Sequence, residues 1–295
     1  MRQPITRRDL LRIAGAAGIG ATLSACQSDT ESTTTQSDMG DSVDAGTAVD
    51  AGGSADAAAP SMEWAVGGTN LITVDYPPDD IFDDGVACTL ALSAALTEGP
   101  CYYADDAGDD ISAGRTGLPM QLCLRLVDAD CQPLADHLVE IWHCDTRGLY
   151  SGDTSESADA ERFGGNFGTN FCTGGDEDAE SSTYYRGQLI SDASGRVNFR
   201  SCFPGWYAGR TLHIHVAVSD PSGERRIVSQ LCFTDAFVTE ITTHHMLYTD
   251  HGEQDTPLAS GRDMFFPSTD FEQFILSTQR NTDGTLLAWH SIEIA

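Results

Sequence analysis

His213-Ile214-His215 sets two imidazoles two positions apart. On a strand, residues i and i+2 project from the same face, so both rings stand side by side while Leu212, Ile214, Val216 and Val218 fill the opposite, core-facing side. Two neutral imidazoles held together suit a transition metal. Ordinary strands carry the same spacing, so the pair alone leaves packing and metal binding both open. Two phenols stand near it in the sequence. Tyr207 precedes His213 by six residues in Phe203-Pro204-Gly205-Trp206-Tyr207-Ala208-Gly209-Arg210, where proline and glycine set a turn able to fold the phenol back over the histidine face. Tyr150 closes the run Val139-Glu140-Ile141-Trp142-His143-Cys144-Asp145-Thr146-Arg147-Gly148-Leu149-Tyr150, an apolar strand followed by a turn. The plainer readings are two packing tyrosines with hydroxyls at the surface and, for Arg210, a solvated loop charge.

The elements that would position these groups read as strands. From Trp64 onward the chain is short apolar runs broken by turn signals, the rhythm of an antiparallel β-sandwich rather than of strand-helix alternation. Met120–Val127 alternates, with Leu122, Leu124 and Leu126 on one face, and turns at Asp128-Ala129-Asp130. Leu138–Trp142 is a second strand, with Trp142 in the core. Gly187–Ile190 and Arg196–Arg200 flank Asp192-Ala193-Ser194-Gly195, a hairpin turn. Leu212–Val218 and Ile227–Phe233 are the strongest strand patterns, separated by Asp220-Pro221-Ser222-Gly223. After Phe233 a period returns only at Leu286–Ile292, so long loops are expected there, with a helical turn in Asp270–Leu276.

The N-terminal region has a different texture. Thr6-Arg7-Arg8-Asp9-Leu10-Leu11 precedes an apolar, Gly/Ala-rich stretch, the layout of a twin-arginine export signal, and Leu23-Ser24-Ala25-Cys26 resembles a lipobox whose cysteine becomes the lipidated first residue. Residues 1–26 are therefore expected to be a signal peptide, with lipid on Cys26 as the contact with a membrane of the cell envelope. Residues 27–65 are mainly Ser, Thr, Asp, Ala and Gly and read as a disordered linker with a reach of roughly 30–40 Å. Residues 66–295 form the folded domain.

Lys+Arg 16 against Asp+Glu 45 gives a formal net charge of -29, with no lysine at all, which excludes a nucleic-acid partner. The acidic runs Asp105–Asp110 and Asp176–Asp178 lack the Asp-x-Asp-x-Asp-Gly spacing of a calcium loop and read as solvated turns. Of nine cysteines, Cys26 belongs to the lipobox. The other eight, Cys88, Cys101, Cys123, Cys131, Cys144, Cys172, Cys202 and Cys232, form no C-x2-C pair, so an exported chain points to disulfides of open connectivity rather than a thiolate metal site.

Taken in order, these motifs resemble the intradiol ring-cleavage dioxygenases, the catechol and protocatechuate group, and most closely their exported single-chain members. The resemblance covers about residues 85–295. It includes Thr97-Glu98-Gly99-Pro100, similar to the family's substrate-entrance loop, and Leu287-Ala288-Trp289-His290 near the end. It implies an iron(III) ion held by Tyr150, Tyr207, His213 and His215, cleavage of a catechol-type ring by O2 between the hydroxyl-bearing carbons, and a cis,cis-muconate-type product. It implies further that Tyr207 is the displaceable ligand and internal base while Tyr150 stays bound. Arg210 then stabilises charge on the ring, and Gln230 hydrogen-bonds the oxygen species at the iron. Two departures stand out: Cys101 interrupts the usual Gly-Pro-Tyr-Tyr run, and the acidic loop from Asp153 to Glu180 is long. No role falls to His143, His244, His245 or His251.

The donor types agree with a trivalent ion. Phenolate is a hard anionic oxygen, so two of them favour the ferric over the ferrous state, and two tyrosinates with one hydroxide neutralise the ion in a low-dielectric pocket. A catecholate dianion that replaces one tyrosinate and the hydroxide leaves that sum unchanged. Two rival readings remain at this level: an iron(II) oxygenase using His213, His215 and Asp220, and a tethered, non-catalytic module that binds an aromatic or sugar polymer.

Overall fold

The computed structural model describes residues 63–83, 95–105, 107–152 and 169–294, with backbone only at 169–170. Alternating apolar residues build its core. Two four-stranded sheets face each other, one ordered β4-β1-β8-β7 and the other β3-β2-β5-β6. The strands are β1 (Pro119–Val127), β2 (Leu138–Trp142), β3 (Arg186–Ile190), β4 (Arg196–Cys202), β5 (His213–Ser219), β6 (Arg225–Cys232), β7 (Ser277–Arg280) and β8 (Leu286–Glu293). All pairs are antiparallel except β1 with β8, which run parallel. Leu122, Leu124 and Leu126 from one sheet meet Val139, Ile141, Ile214, Val216 and Val218 from the other in a continuous apolar layer. This is the all-β sandwich expected from the sequence.

The period of two then dictates what the far side of the second sheet carries. Cross-strand register aligns Arg186 with Trp142, Trp142 with His215, and His215 with Gln230. One row of side chains thus crosses all four strands on the face turned away from the core. Loops cover that row and bury it: Arg186, Trp142, His215 and Gln230 are each no more than 3% exposed.

Several sequence expectations change here. The turn at Asp192–Gly195 forms, with the Asp192 carboxylate accepting from the Ser194 and Arg196 amides, but it is not a hairpin. β3 pairs with β2, and β4 crosses to β1, because Leu126 takes the Gly195 carbonyl at 2.8 Å and draws the chain to the other sheet. Beyond Phe233 lies a ten-residue helix instead of loop. Named α3 (Asp235–His244), it follows two short helices, α1 (Thr169–Thr173) and α2 (Glu177–Glu180). Thr234 caps α3 by accepting from Phe237 N–H. Its threonines and β-branched residues disguise the helical period, since such residues have low helix propensity. β7 has no buried residue and so shows no period. The helical turn expected in Asp270–Leu276 is present at Glu272–Phe274.

The acidic runs are not merely solvated. Asp109 pairs with Arg200, Asp110 accepts from Thr69 and Ser112, Asp176 caps α2 and pairs with Arg147, and Asp178 pairs with Arg115. Cysteine use also differs from a full disulfide set. Among the described residues Cys101 bonds to Cys172 and Cys131 is also disulfide-bonded, while Cys123, Cys144, Cys202 and Cys232 are buried in the thiol form. These four behave as small apolar core residues. The segment read as a signal peptide, Cys26, Cys88 and most of the segment read as a linker lie outside the described residues, as does 153–168 of the acidic loop. At the end of the segment read as linker, Trp64 packs edge-on against Phe237 and Ala65 N–H donates to Gly284 O.

Ile214 is fully buried between the sheets and sits between the two histidines. Ile214→Ala should lower stability by about 2–5 kcal/mol, seen as a reduced denaturant midpoint with unchanged slope.

Candidate metal centre

β5 delivers His213 and His215 to the outer face of its sheet with their Nε2 atoms 3.1 Å apart. His213 Nδ1 lies 2.5 Å from the Thr211 carbonyl, so the favourable tautomer donates from Nδ1 and turns an Nε2 lone pair inward. His215 lies flat on the Trp142 indole, with ring centroids 4.8 Å apart and planes 8° from parallel. Trp142 is therefore the floor under the His215 ring rather than a residue of the inter-sheet core.

The two phenols arrive on loops. Asp145 folds its loop by accepting from the Arg147 and Leu149 amides through its carboxylate. Its carbonyl accepts from Gly148 and from Gly205, on the second loop. A Cβ on Gly148 (φ +79°) would lie 2.1 Å from the Trp206 carbonyl, and one on Gly205 would lie 2.4 Å from the Asp145 carbonyl. Only glycine allows these two backbones to touch, and their contact brings Tyr150 and Tyr207 together. Tyr150 N–H donates to Cys172 O at 2.9 Å. The Cys101–Cys172 bridge then ties that segment to the loop holding Gly99, where a Cβ would lie 3.3 Å from the His215 ring.

The hydroxyls of Tyr150 and Tyr207 lie 3.5 and 3.3 Å from His213 Nε2. Four donor atoms thus face one another, at spacings that ligands about 2.0–2.2 Å from a single ion would have. Among the described residues no group of three or more His, Cys, Asp or Glu is placed to hold a metal ion; the groups that converge here are two imidazoles and two phenols. Asp220, the acid an iron(II) site would need, sits in the β5–β6 turn bonded to Ser222 and Glu224. It lies at the opposite end of β5 from His213.

The surroundings are electrostatically asymmetric. Burial lowers both histidines well below the ordinary imidazole value, Arg210 assisting at His213 and His213 assisting at His215. Burial raises both tyrosines; at Tyr207 the Arg210 guanidinium opposes the rise. Neutral imidazoles are ready to bind a cation, whereas the phenols need one to ionise. Arg210 donates to Tyr207 Oη at 3.3 Å and to Gln230 Oε1, and Gln230 Nε2 donates to Thr97 O at 3.1 Å. Gln230 is thereby tied to both Arg210 and the loop containing Gly99.

Asp263 escaped the sequence reading. It lies 2.9 Å from Arg210 Nε and accepts from the amides of Thr211, Phe265 and Phe266. Phe265 stacks on the same guanidinium, 4.5 Å from its centre to the ring centroid. The sequence offers no signal for the pair, because the partners are 53 positions apart. His143, given no role above, is buried and bonds the Cys144 carbonyl and Ser201 Oγ.

The family Dioxygenase_C, described as Dioxygenase, matches residues 97–245, half of the chain. No curated protein sequence matches the chain. An intradiol ring-cleavage dioxygenase from Tetranychus urticae has a similar structure, at 23% identity and a TM-score of 0.56, covering 69% of this chain and 94% of that one. The dioxygenase domain of a dioxygenase carbohydrate-binding protein fusion from Streptomyces sp. SirexAA-E aligns at 18% identity and a TM-score of 0.46, over 69% of this chain and 97% of that one. A 3-chlorocatechol 1,2-dioxygenase from Rhodococcus opacus 1CP aligns at 17% identity and a TM-score of 0.46, over 70% and 74%.

Burial alone would raise the Asp263 carboxyl, but Arg210 and the three amides outweigh it and hold the group below the ordinary value. Its contribution is complete above the unfolded carboxylate value of about 3.9 and is lost as pH falls through the lower folded value. Asp263→Ala should therefore cost about 3–5 kcal/mol near neutrality, because it strands the buried Arg210. Asp263→Asn should flatten the acid limb of a stability-versus-pH curve measured by urea unfolding.

Proposed function

The chain belongs to the dioxygenase family, and from that premise we propose that it uses O2 to open a catechol-type ring between its two hydroxyl-bearing carbons, giving a cis,cis-muconate-type acid. In this reading iron(III) is held by Tyr150, Tyr207, His213 and His215. The observation that carries it is the convergence of those four donor atoms, with His215 Nε2 and the two phenol oxygens 3.1–3.5 Å from His213 Nε2. When bound, the ferric ion supplies an electron-poor centre that can chelate both catechol oxygens and prepare the ring for reaction with O2.

The chain's own residues supply the rest. Tyr207 is half-buried, whereas Tyr150 is 1% exposed, so Tyr207 is the phenol that an arriving substrate meets. Its oxygen can take the proton of one catechol hydroxyl, and the Arg210 N–H 3.3 Å away keeps that oxygen oriented before and after the transfer. Arg210 is positioned beforehand by Asp263 and Phe265, so a charge developing on the ring meets a fixed cation with no side chain left to reorganise. Trp142 holds the His215 ring, and the near-complete burial of the histidines, Trp142 and Tyr150 keeps bulk water from the reacting face.

The test is oxygen uptake by the iron-loaded protein with a panel of substituted catechols. One O2 should be consumed per ring, and the protein should be coloured by tyrosinate-to-iron(III) charge transfer. Tyr207→Phe should slow turnover by about 10²–10⁴-fold, and His213→Ala should remove iron and activity together. A ferric-replete, colourless protein that consumes no oxygen with any catechol would refute the assignment and leave a tethered binding module in its place.

The same reading includes export by the twin-arginine route and a lipid on Cys26 in the cell envelope. Arg7-Arg8 followed by an apolar stretch ending in Leu23-Ser24-Ala25-Cys26 supports it. Cys26→Ser should shift the protein from the membrane to the soluble fraction of a bacterial host. Unchanged membrane association would contradict the anchor.

A further inference from the structure

Three arginines of the described residues are buried: Arg186, Arg196 and Arg210. Arg196 pairs with Asp79 and Arg210 with Asp263. Among the described residues Arg186 has no carboxylate within salt-bridge distance, and Asp105 acts on it only through space. It is 1% exposed, its Nε and Nη2 donate to the Ser151 carbonyl and hydroxyl at 2.7–3.2 Å, and its Nη1 is buried without any hydrogen-bond partner. An unpaired buried charge is costly, so a fold that keeps one has a compensating group nearby.

Two aromatic faces compensate it. The guanidinium carbon lies 4.1 Å from the Tyr103 ring centroid and 5.9 Å from that of Tyr150. Burial depresses Arg186 only to about 10, so it is a cation at neutral pH. It opens the cross-strand row that continues through Trp142 and His215 to Gln230, which places it on the metal face of the sheet. The residue before it, Tyr185, has φ +56°, a left-handed conformation that side chains other than glycine rarely adopt. Backbone strain held beside a buried, unpaired charge next to a ligand is the pattern of a functional position rather than a packing one.

The two phenols therefore have unequal partners. The arginine beside Tyr207 is salt-bridged to Asp263, while the arginine over Tyr150 has only aromatic faces, the Ser151 oxygens and the more distant Asp105 to offset its charge. We propose that Arg186 is a positioning residue of the ferric site, one whose guanidinium, held without a salt bridge, draws electron density from the Tyr150 tyrosinate and so sets the electronic character of the ion. This rests on the ligand set of the proposed function. A positive charge beside the phenolate makes transfer of an electron from phenolate to iron harder, and it favours the ferrous over the ferric state.

The experiment compares ferric wild-type protein with Arg186→Met, Arg186→Lys and Ser151→Ala by visible absorption, iron midpoint potential and thermal midpoint. Arg186→Met should move the charge-transfer band to longer wavelength and lower the potential, and Arg186→Lys should restore both toward wild type. Ser151→Ala, which weakens the hydrogen-bonded clamp but keeps the charge, should leave the band in place even where it lowers the thermal midpoint. A folded Arg186→Met with unchanged band and potential would overturn the inference. Should Arg186→Met not fold, the Lys and Ala variants decide: wild-type bands in both support an electrostatic role, and equal displacement in both shows a merely structural one. A wild-type chain that takes up no ferric ion overturns the proposed function and this inference together, whereas a coloured one indifferent to the charge at position 186 overturns this inference alone.

Discussion

β5 has two faces, and the site hangs from the one that does not enter the core. Ile214, Val216 and Val218 are locked between the sheets, so His213 and His215 have no alternative orientation. A slip of one residue in register would bury both imidazoles among leucines and expose three aliphatic side chains. The energetic demand of the sandwich thereby fixes the direction of the two imidazoles. Pairing of β5 with β2 and β6 extends the same constraint sideways and sets Trp142 under His215 and Gln230 beside it.

The loops face a different problem, which is to hold two phenols at one point without a strand to direct them. Backbone contact solves it. Gly148 and Gly205 let two loops approach more closely than any side chain permits, and the Asp145 carboxylate and carbonyl supply hydrogen bonds on both sides of the contact. The Cys101–Cys172 bridge adds a covalent tie between the Tyr150 segment and the loop against His215. A closed loop of this length restricts the unfolded chain, worth about 4 kcal/mol in the chain-entropy description. The cysteine that interrupts the Gly-Pro-Tyr-Tyr run thus has a structural use where the chain departs from the pattern it resembles.

Charge is distributed with equal economy. Imidazoles kept neutral and phenols kept protonated by burial form a site with little charge of its own, which a trivalent cation can enter while displacing phenol protons. Arg210 is buried only because Asp263 accompanies it, and that acid is in turn held by three backbone amides. Such a closed set of partners leaves Arg210 rigid, the condition for electrostatic stabilisation without reorganisation.

Strand alternation and the His-x-His spacing determined much of this from sequence alone. They placed the sandwich, the core-facing residues of β1 and β5, the β6 strand and the common face of the two histidines, because a period of two is a local property of the chain. Tertiary structure decided what depends on distant partners. β4 leaves β3 for the other sheet because Leu126 takes the Gly195 carbonyl, and α3 forms from residues of weak helical period because its buried side packs on the sandwich. Four cysteines of the described residues are buried as thiols rather than joined in disulfides. Asp263 meets Arg210 across 53 positions, and Arg186 comes to lie over Tyr150 from a neighbouring strand. No local pattern carries such meetings, since the electrostatic energy of a buried charge is determined by whatever the completed fold brings within a few ångströms of it.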